Sequence, residues 1–331
     1  MKRSRFWLYA PWALFLLLAA CWIGYWFVLA NGAQQRVMDL LAAQRAAGAE
    51  AQVGRISTHG FPVLLRLELD DVAYAPRQRN WRAATPRLDL NINVLNPNHL
   101  ILQQRAPISI DRPGAHAEID AEVSLMSLRM QGAQLAEARL ESDALSLEER
   151  GRPGAATVQK LVAAMRPDPR AATDYQLAIQ ATGLHLARPV RTFEHFGQDI
   201  ALANAAIVLE GAAALLEPAD PLEHWRAAGG TARLEGMTLN WGPLEANAQG
   251  AVGLDAQHRL QGALQAALPR PSAALNALAQ SPSLSYQQKN ALSVFALGLA
   301  FSNHDVRVHL EAGDGVLKLE HVPVRTLAPV Y

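Results

Sequence analysis

The chain has 331 residues, with 30 Lys and Arg balanced by 30 Asp and Glu, and a single cysteine. The balance excludes a bulk electrostatic footprint for nucleic acid, and one cysteine excludes a disulfide framework or a cysteine-built zinc centre. Half of the residues are hydrophobic and 18% are charged, so the chain buries a real core and is not disordered.

Met1-Lys-Arg-Ser-Arg5 is a basic leader, and Phe6 to Ala30 is an almost wholly apolar run. At ~1.5 Å per residue that run spans about 38 Å, enough to cross a hydrocarbon core of about 30 Å. Trp7, Tyr9 and Trp12 at one end, and Trp22, Tyr25 and Trp26 towards the other, are placed like interfacial aromatic belts. The excess of Lys2, Arg3 and Arg5 over the next cations puts the N-terminus in the cytoplasm. A transmembrane anchor at 6–30 then leaves everything after it outside the cytoplasmic membrane; in a two-membrane bacterium that space is the periplasm. Two other readings stay open. The run could be a cleaved signal, although such apolar stretches are usually about 7–15 residues long. Leu18-Ala19-Ala20-Cys21 also fits a bacterial lipoprotein signal with Cys21 as the lipidated residue, but Trp22 to Leu29 stays apolar after it.

Residues 31–50 read as a helical stalk, with Val37, Leu40 and Leu41 at helical spacing and Gly48 as its end. From 51 to 331 the pattern is that of an exported β-rich domain, which admits a subdivision near 150–172. Val63 to Leu69 alternates with period 2. In the next run Leu88, Leu90, Ile92 and Val94 face one way and Asp89, Asn91 and Asn93 the other, as in a half-buried strand with a solvated polar face. Asn96-Pro97-Asn98 reads as the turn that ends it. Further alternating runs cover 117–125, 175–181, 202–210, 231–241, 244–254, 259–267, 306–310 and 316–319. Helices are expected at 155–165, 221–228, 271–279 and 287–299. Short connections between the runs require antiparallel pairing, because a parallel crossover needs a dozen residues or more. The fold class is therefore β-dominated, with mostly antiparallel, meander-rich sheets and a few inserted helices, preceded by one N-terminal transmembrane helix.

The inward positions are rich in Ala, Val and Leu, so such faces form either a filled core or a shallow apolar groove. The Leu88, Leu90, Ile92 and Val94 face is one candidate. Trp81, Trp225 and Trp241, the only tryptophans outside the apolar run, are either core plugs or ligand platforms. No phosphate-binding loop, nucleophile elbow or zincin motif occurs. No catalytic residue, metal ligand or cofactor is assigned.

Gly60-Phe61-Pro62, Trp81-Arg82-Ala83 and Leu95-Asn96-Pro97-Asn98-His99 are followed by His224 to Gly230, Leu239-Asn240-Trp241-Gly242-Pro243-Leu244, Gly253-Leu254-Asp255, and Gly313 to Val316 through Pro323-Val324. In this order they resemble the bacterial family DUF2125 over most of 35–331, departing at Leu327-Ala328-Pro329. The resemblance implies an envelope protein with one N-terminal anchor and no assigned activity. A more distant likeness to anchored β-groove proteins of the AsmA kind rests on the anchor, stalk and strand run. Three roles follow as expectations: a non-enzymatic protein that binds or shields a lipid-like molecule, an assembly factor holding an envelope protein partner, and, weakest, an enzyme. The expected partners are the membrane and a lipid or a protein, and not nucleic acid.

Overall fold

A computed structural model describes residues 6–77, 80–132, 134–152, 154–216, 220–282, 284–300, 306–319 and 322–330; the basic leader 1–5 lies outside them. The chain is 54% strand and 26% helix and divides into two compact units, 1–113 and 114–331.

The first unit opens with α1 (Phe6–Ala46), followed by β1 (Glu50–Gln52), β2 (Arg55–His59), β3 (Leu64–Ala75), β4 (Arg82–Asn93), β5 (Asn96–Gln104) and β6 (Ile108–Arg112). All pairings are antiparallel: β2, β3, β4 and β5 lie side by side. β1 continues the β2 edge along β3, and β6 continues the β5 edge along β4. Period-2 alternation puts Leu65, Leu67 and Leu69 of β3 on one face with Leu90 and Ile92 of β4, and Val94 joins them. That face is covered by α1, whose Trp26, Ala30 and Ala33 complete the cluster. Residues 31–46 are helical, as their spacing predicts, and Ala33 and Val37 among them pack on the sheet. Small alanines at 30 and 33 let the helix approach the leucine rows closely.

Two local expectations fail in this unit. Asn96-Pro97-Asn98 is not the turn but the start of β5, paired from Asn96 to Asn93. The reversal is at Val94-Leu95, where the Leu95 N–H donates to Asn93 Oδ1 across 2.9 Å, so Asn93 supplies the turn chemistry. Val63, read as an inward position, is 65% exposed because β3 begins one residue later. At the turn before it, Gly60 has φ +96°, and a Cβ there would meet the Leu64 carbonyl oxygen at 2.5 Å; only glycine fits.

The second unit comprises β7 (Ala115–Asp120), β8 (Val123–Gln131), β9 (Gln134–Glu149), β10 (Ala155–Asp168), β11 (Ala171–His185), β12 (Asp199–Glu210), β13 (Thr231–Trp241), β14 (Leu244–Leu254), β15 (Leu260–Leu268), β16 (Val306–Gly313), β17 (Val316–Leu319) and β18 (Val322–Thr326). From β8 onward each strand pairs antiparallel with the next, while β7 pairs with the end of β9. The meander expected from the short connections is therefore continuous. α2 (Pro221–Ala227) lies between β12 and β13, and α3 (Pro271–Ala279) and α4 (Tyr286–Ala300) between β15 and β16, all near their expected positions.

The helix expected at 155–165 is strand β10. Alanine favours helix only weakly against tertiary context, and here both edges of β10 are taken, by β9 and β11. The run expected at 117–125 is broken into β7 and β8, with the Ala121 N–H donating to Asp120 Oδ1 across 2.9 Å. Residues 150–172 carry β10 and its flanking turns, inside the second unit.

Candidate functional site: an apolar lane across the second unit

Antiparallel register places directly opposed residues on the same face. Following one row from strand to strand, Met126 opposes Leu140, which opposes Ala163, then Ile179 and Ala205. The row continues through Met237, Ala248 and Ala266 to Val308. The neighbouring row runs Leu128, Ala138, Met165, Leu177, Ile207 and Leu234, then Gly250, Leu264, Leu310 and Leu319. At about 4.8 Å per strand, a ten-strand row extends about 43 Å. Every side chain in both rows is apolar, and glycine stands at one place.

The reverse face differs. There the row Gln180, Asn204, Thr238 and Asn247 is polar, with Gln249, Gln265 and His309 beside it. Asn204, Asn247, Gln249 and Gln265 are exposed, whereas Ile179, Ala205, Met237, Ala266 and Val308 are half-buried and Ala246 and Ala248 are buried. The sheet is thus two-sided, with a polar, exposed surface and an apolar lane.

One flank of the lane is closed where it crosses β11 to β14. Ala274 of α3, Phe196 of the 3-10 turn 191–196, Ile200 and Trp241 form a packed cluster that takes in Leu184, Ala203, Leu239 and Leu244. The rings of Phe193 and Phe196 lie 5.4 and 5.5 Å from that of Trp241, and the Trp241 indole N–H donates to the Gly197 carbonyl oxygen across 3.0 Å. Among the described residues, the two long rows belong to neither of the packed apolar clusters.

The other candidates fall as follows. Leu90, Ile92 and Val94 are buried and Leu88 is packed beside them, under α1. Trp81 is half-buried, its ring 5.6 Å from that of Tyr74. Trp225 is 7% exposed, with its N–H donated to the Glu210 carbonyl oxygen across 2.8 Å. It lies so close to Gly230 that a Cβ there would stand 2.2 Å from Trp225 Nε1. Cys21 is exposed on α1, one residue before the first side chain that bonds to the sheet. Among the described residues no group of three or more His, Cys, Asp and Glu is placed to hold a metal ion.

A polar network on the far side of the first sheet escaped the sequence reading. Asp89, expected on a solvated face, is 1% exposed. Arg105 Nε donates to its Oδ2 across 2.8 Å and Arg87 Nε to its Oδ1 across 3.4 Å, with Arg66 Nε at 4.0 Å. Arg87 also pairs with Glu68 at 2.6 Å. The signal is Arg66 and Arg87 at period-2 positions of adjacent strands, with Arg105 just past β5, which alternation alone cannot distinguish from a wet face. Every buried side-chain polar atom among the described residues has a partner, so the network is a satisfied structural element.

Residues 26–328 match the family model described as an uncharacterised protein conserved in bacteria, DUF2125. The chain belongs to the DUF2125 family. No curated protein and no solved structure matches it. In this DUF2125 protein the match begins at Trp26, a core residue of the first unit.

Proposed function

We propose that this protein is a non-enzymatic, membrane-anchored envelope protein whose apolar lane binds or shields the acyl part of a lipid. The single observation carrying this reading is the pair of register-matched apolar rows, nine and ten strands long, that lie outside the packed clusters. A half-buried apolar surface of that length is long enough to cover an acyl chain from end to end, and such a chain needs burial from water and offers no polar group to pair. α1 is long and apolar enough to cross a membrane, a test that a signal sequence near the N-terminus also passes. Retention as an anchor is supported by packing, because cleavage after residue 30 would remove Trp26 and Ala30 from the core. Lipidation at Cys21 would keep both. In the anchor reading the N-terminus is cytoplasmic, the span lies in the inner membrane and both units are periplasmic.

An assembly role with a protein partner draws support from α4, which exposes Tyr286, Val294 and Leu297. Native mass spectrometry of the full chain, released gently from its own membrane, separates the two readings. A bound phospholipid or other acyl compound supports the lane as a lipid site. A bare chain, or one stoichiometric protein with no lipid, overturns the lipid reading. The same spectrum reads the anchor: an intact mass that includes residues 1–20 supports it, and a shortened chain carrying a diacylglyceryl mass replaces it with Cys21 lipidation.

A further inference from the structure

Three side chains of α1 bond to the two turns at one end of the first sheet. The Trp22 indole N–H donates to the Pro62 carbonyl oxygen across 3.0 Å, and the Tyr25 hydroxyl to the Val94 carbonyl oxygen across 3.0 Å. The Trp26 N–H reaches the Leu64 carbonyl oxygen at 3.4 Å, and its ring meets Phe61 edge-on at 5.5 Å. The turns at 60–63 and 94–95 are therefore fixed beside residues 22–26 of the helix. Both turns end in apolar side chains that stay largely exposed: Phe61 is 51% exposed, Val63 65% and Leu95 74%.

The helix sets their depth. Residues 6–21, before the first bond to the sheet, reach only about 24 Å at ~1.5 Å per residue. A hydrocarbon core of about 30 Å needs ~20 residues, which carries the span to Tyr25. Tyr9, Trp12, Leu14, Phe15, Leu16, Leu17 and Leu18 are all exposed, so the helix offers lipid an apolar surface on every side until Trp22. Crossing the bilayer thus draws the Pro62 and Val94 carbonyls to the level where the acyl chains end. Bulky apolar side chains at a turn are costly in water and stabilising there.

We propose that the turns at Phe61-Pro62-Val63 and Leu95 insert into the outer face of the bilayer that α1 crosses, so that the first unit is seated on the lipid with β3 rising away from it. The occupant is the lipid surface itself, selected by the span arithmetic. This inference rests on the reading of α1 as a membrane anchor.

The test uses the full chain with Cys21→Ser, in nanodiscs of phosphatidylcholine and phosphatidylglycerol. Single cysteines replace Leu17, Phe61, Leu95 or Asn80 and carry an environment-sensitive fluorophore. Asn80 is exposed beside the start of β4, at the opposite end of the sheet. Val63→Cys serves where Phe61→Cys disturbs the contact with Trp26. The expected result is a blue-shifted emission at 17, 61 (or 63) and 95, with most of the intensity lost to doxyl-labelled lipid, and an aqueous emission at 80. Quenching at 17 with aqueous emission at both turns overturns the seating and leaves the anchor standing. Aqueous emission at 17 as well overturns the anchor and this inference with it.

Discussion

The Trp22 indole N–H and the Pro62 carbonyl oxygen lie 3.0 Å apart across 40 residues of sequence. This bond marks where α1 stops being a free apolar rod and becomes part of a folded unit. From Trp22 to Val37 the helix contributes Trp22, Trp26, Leu29, Ala30, Ala33 and Val37 to the cluster over the β3 and β4 leucines. The apolar first half of α1 and the cover of the first sheet are therefore one continuous helix, and cutting between them has a structural cost.

A chain beginning at residue 36 is expected to lose this cover, exposing Leu65, Leu67, Leu90 and Ile92, which are at most 9% exposed in the intact fold. It should aggregate or bind a hydrophobic dye, whereas a chain beginning at Trp22 should be soluble and cooperative. Within the full chain, Trp26→Ala removes a side chain that is 5% exposed and should cost about 3–5 kcal/mol. Urea unfolding followed by tryptophan fluorescence reads both. A cooperative, dye-free transition from the chain beginning at residue 36 would refute the packing role of α1.

The Asp89 network predicts an asymmetry between partners. Asp89→Ala takes the shared buried carboxylate from three arginines, of which Arg87 keeps Glu68, and should destabilise by roughly 1–3 kcal/mol. Arg105→Ala removes one of several donors from a carboxylate that keeps Arg87, and Arg105 is 37% exposed, so its loss should cost about 1 kcal/mol or less. The comparison is made by chemical denaturation at neutral pH. Equal losses in the two variants would mean that Asp89 is not the centre of the network.

These results show what alternation reveals and what it hides. The strands 231–241, 244–254 and 316–319 match their expected bounds, because each pairs apolar positions at period 2 with a clear turn at its end. β9 is not legible in the sequence because Glu137, Arg139, Glu141 and Asp143 make its outward face as charged as a loop. β10 reads as a helix in sequence because its alanines lack a β signature; the register with β9 and β11, which is tertiary, decides it. For the same reason the apolar rows could be expected only strand by strand. Their continuity depends on register, and register across nine connections is not written in any one of them.

Acid should weaken the second unit through Glu210. The Thr231 hydroxyl, and then the Arg233 guanidinium at 3.0 Å, hold its carboxyl below the ordinary glutamate value. A carboxylate whose folded value is depressed contributes stability that is complete above its unfolded value and is lost as pH falls through the folded one. Thermal unfolding should thus be flat through neutral pH and fall below the usual glutamate range. Glu210→Gln should make that acid limb shallower, while at neutral pH its melting temperature should lie below that of the parent. An acid limb of unchanged slope would remove Glu210 from the account.

The lane offers the sharpest contrast, because two adjacent residues test its two faces. Ala205 stands between Ile179 and Met237 in the apolar row, and its neighbour Asn204 stands between Gln180 and Thr238 on the exposed polar face. Ala205→Glu places a carboxylate where an acyl chain would lie, and desolvating an unpaired charge costs several kcal/mol. Asn204→Glu adds the same charge to a face already in water. Lipid recovered by solvent extraction from the purified full chain should fall at least tenfold in Ala205→Glu, about 1.4 kcal/mol or more of lost binding. It should be unchanged in Asn204→Glu. Matching thermal transitions of the two variants separate lost binding from lost folding. Where Ala205→Glu unfolds the unit, Ala205→Gln repeats the test without the charge, with a smaller fall expected. Equal recovery of lipid from lane and reverse-face variants would overturn the lane as the binding surface.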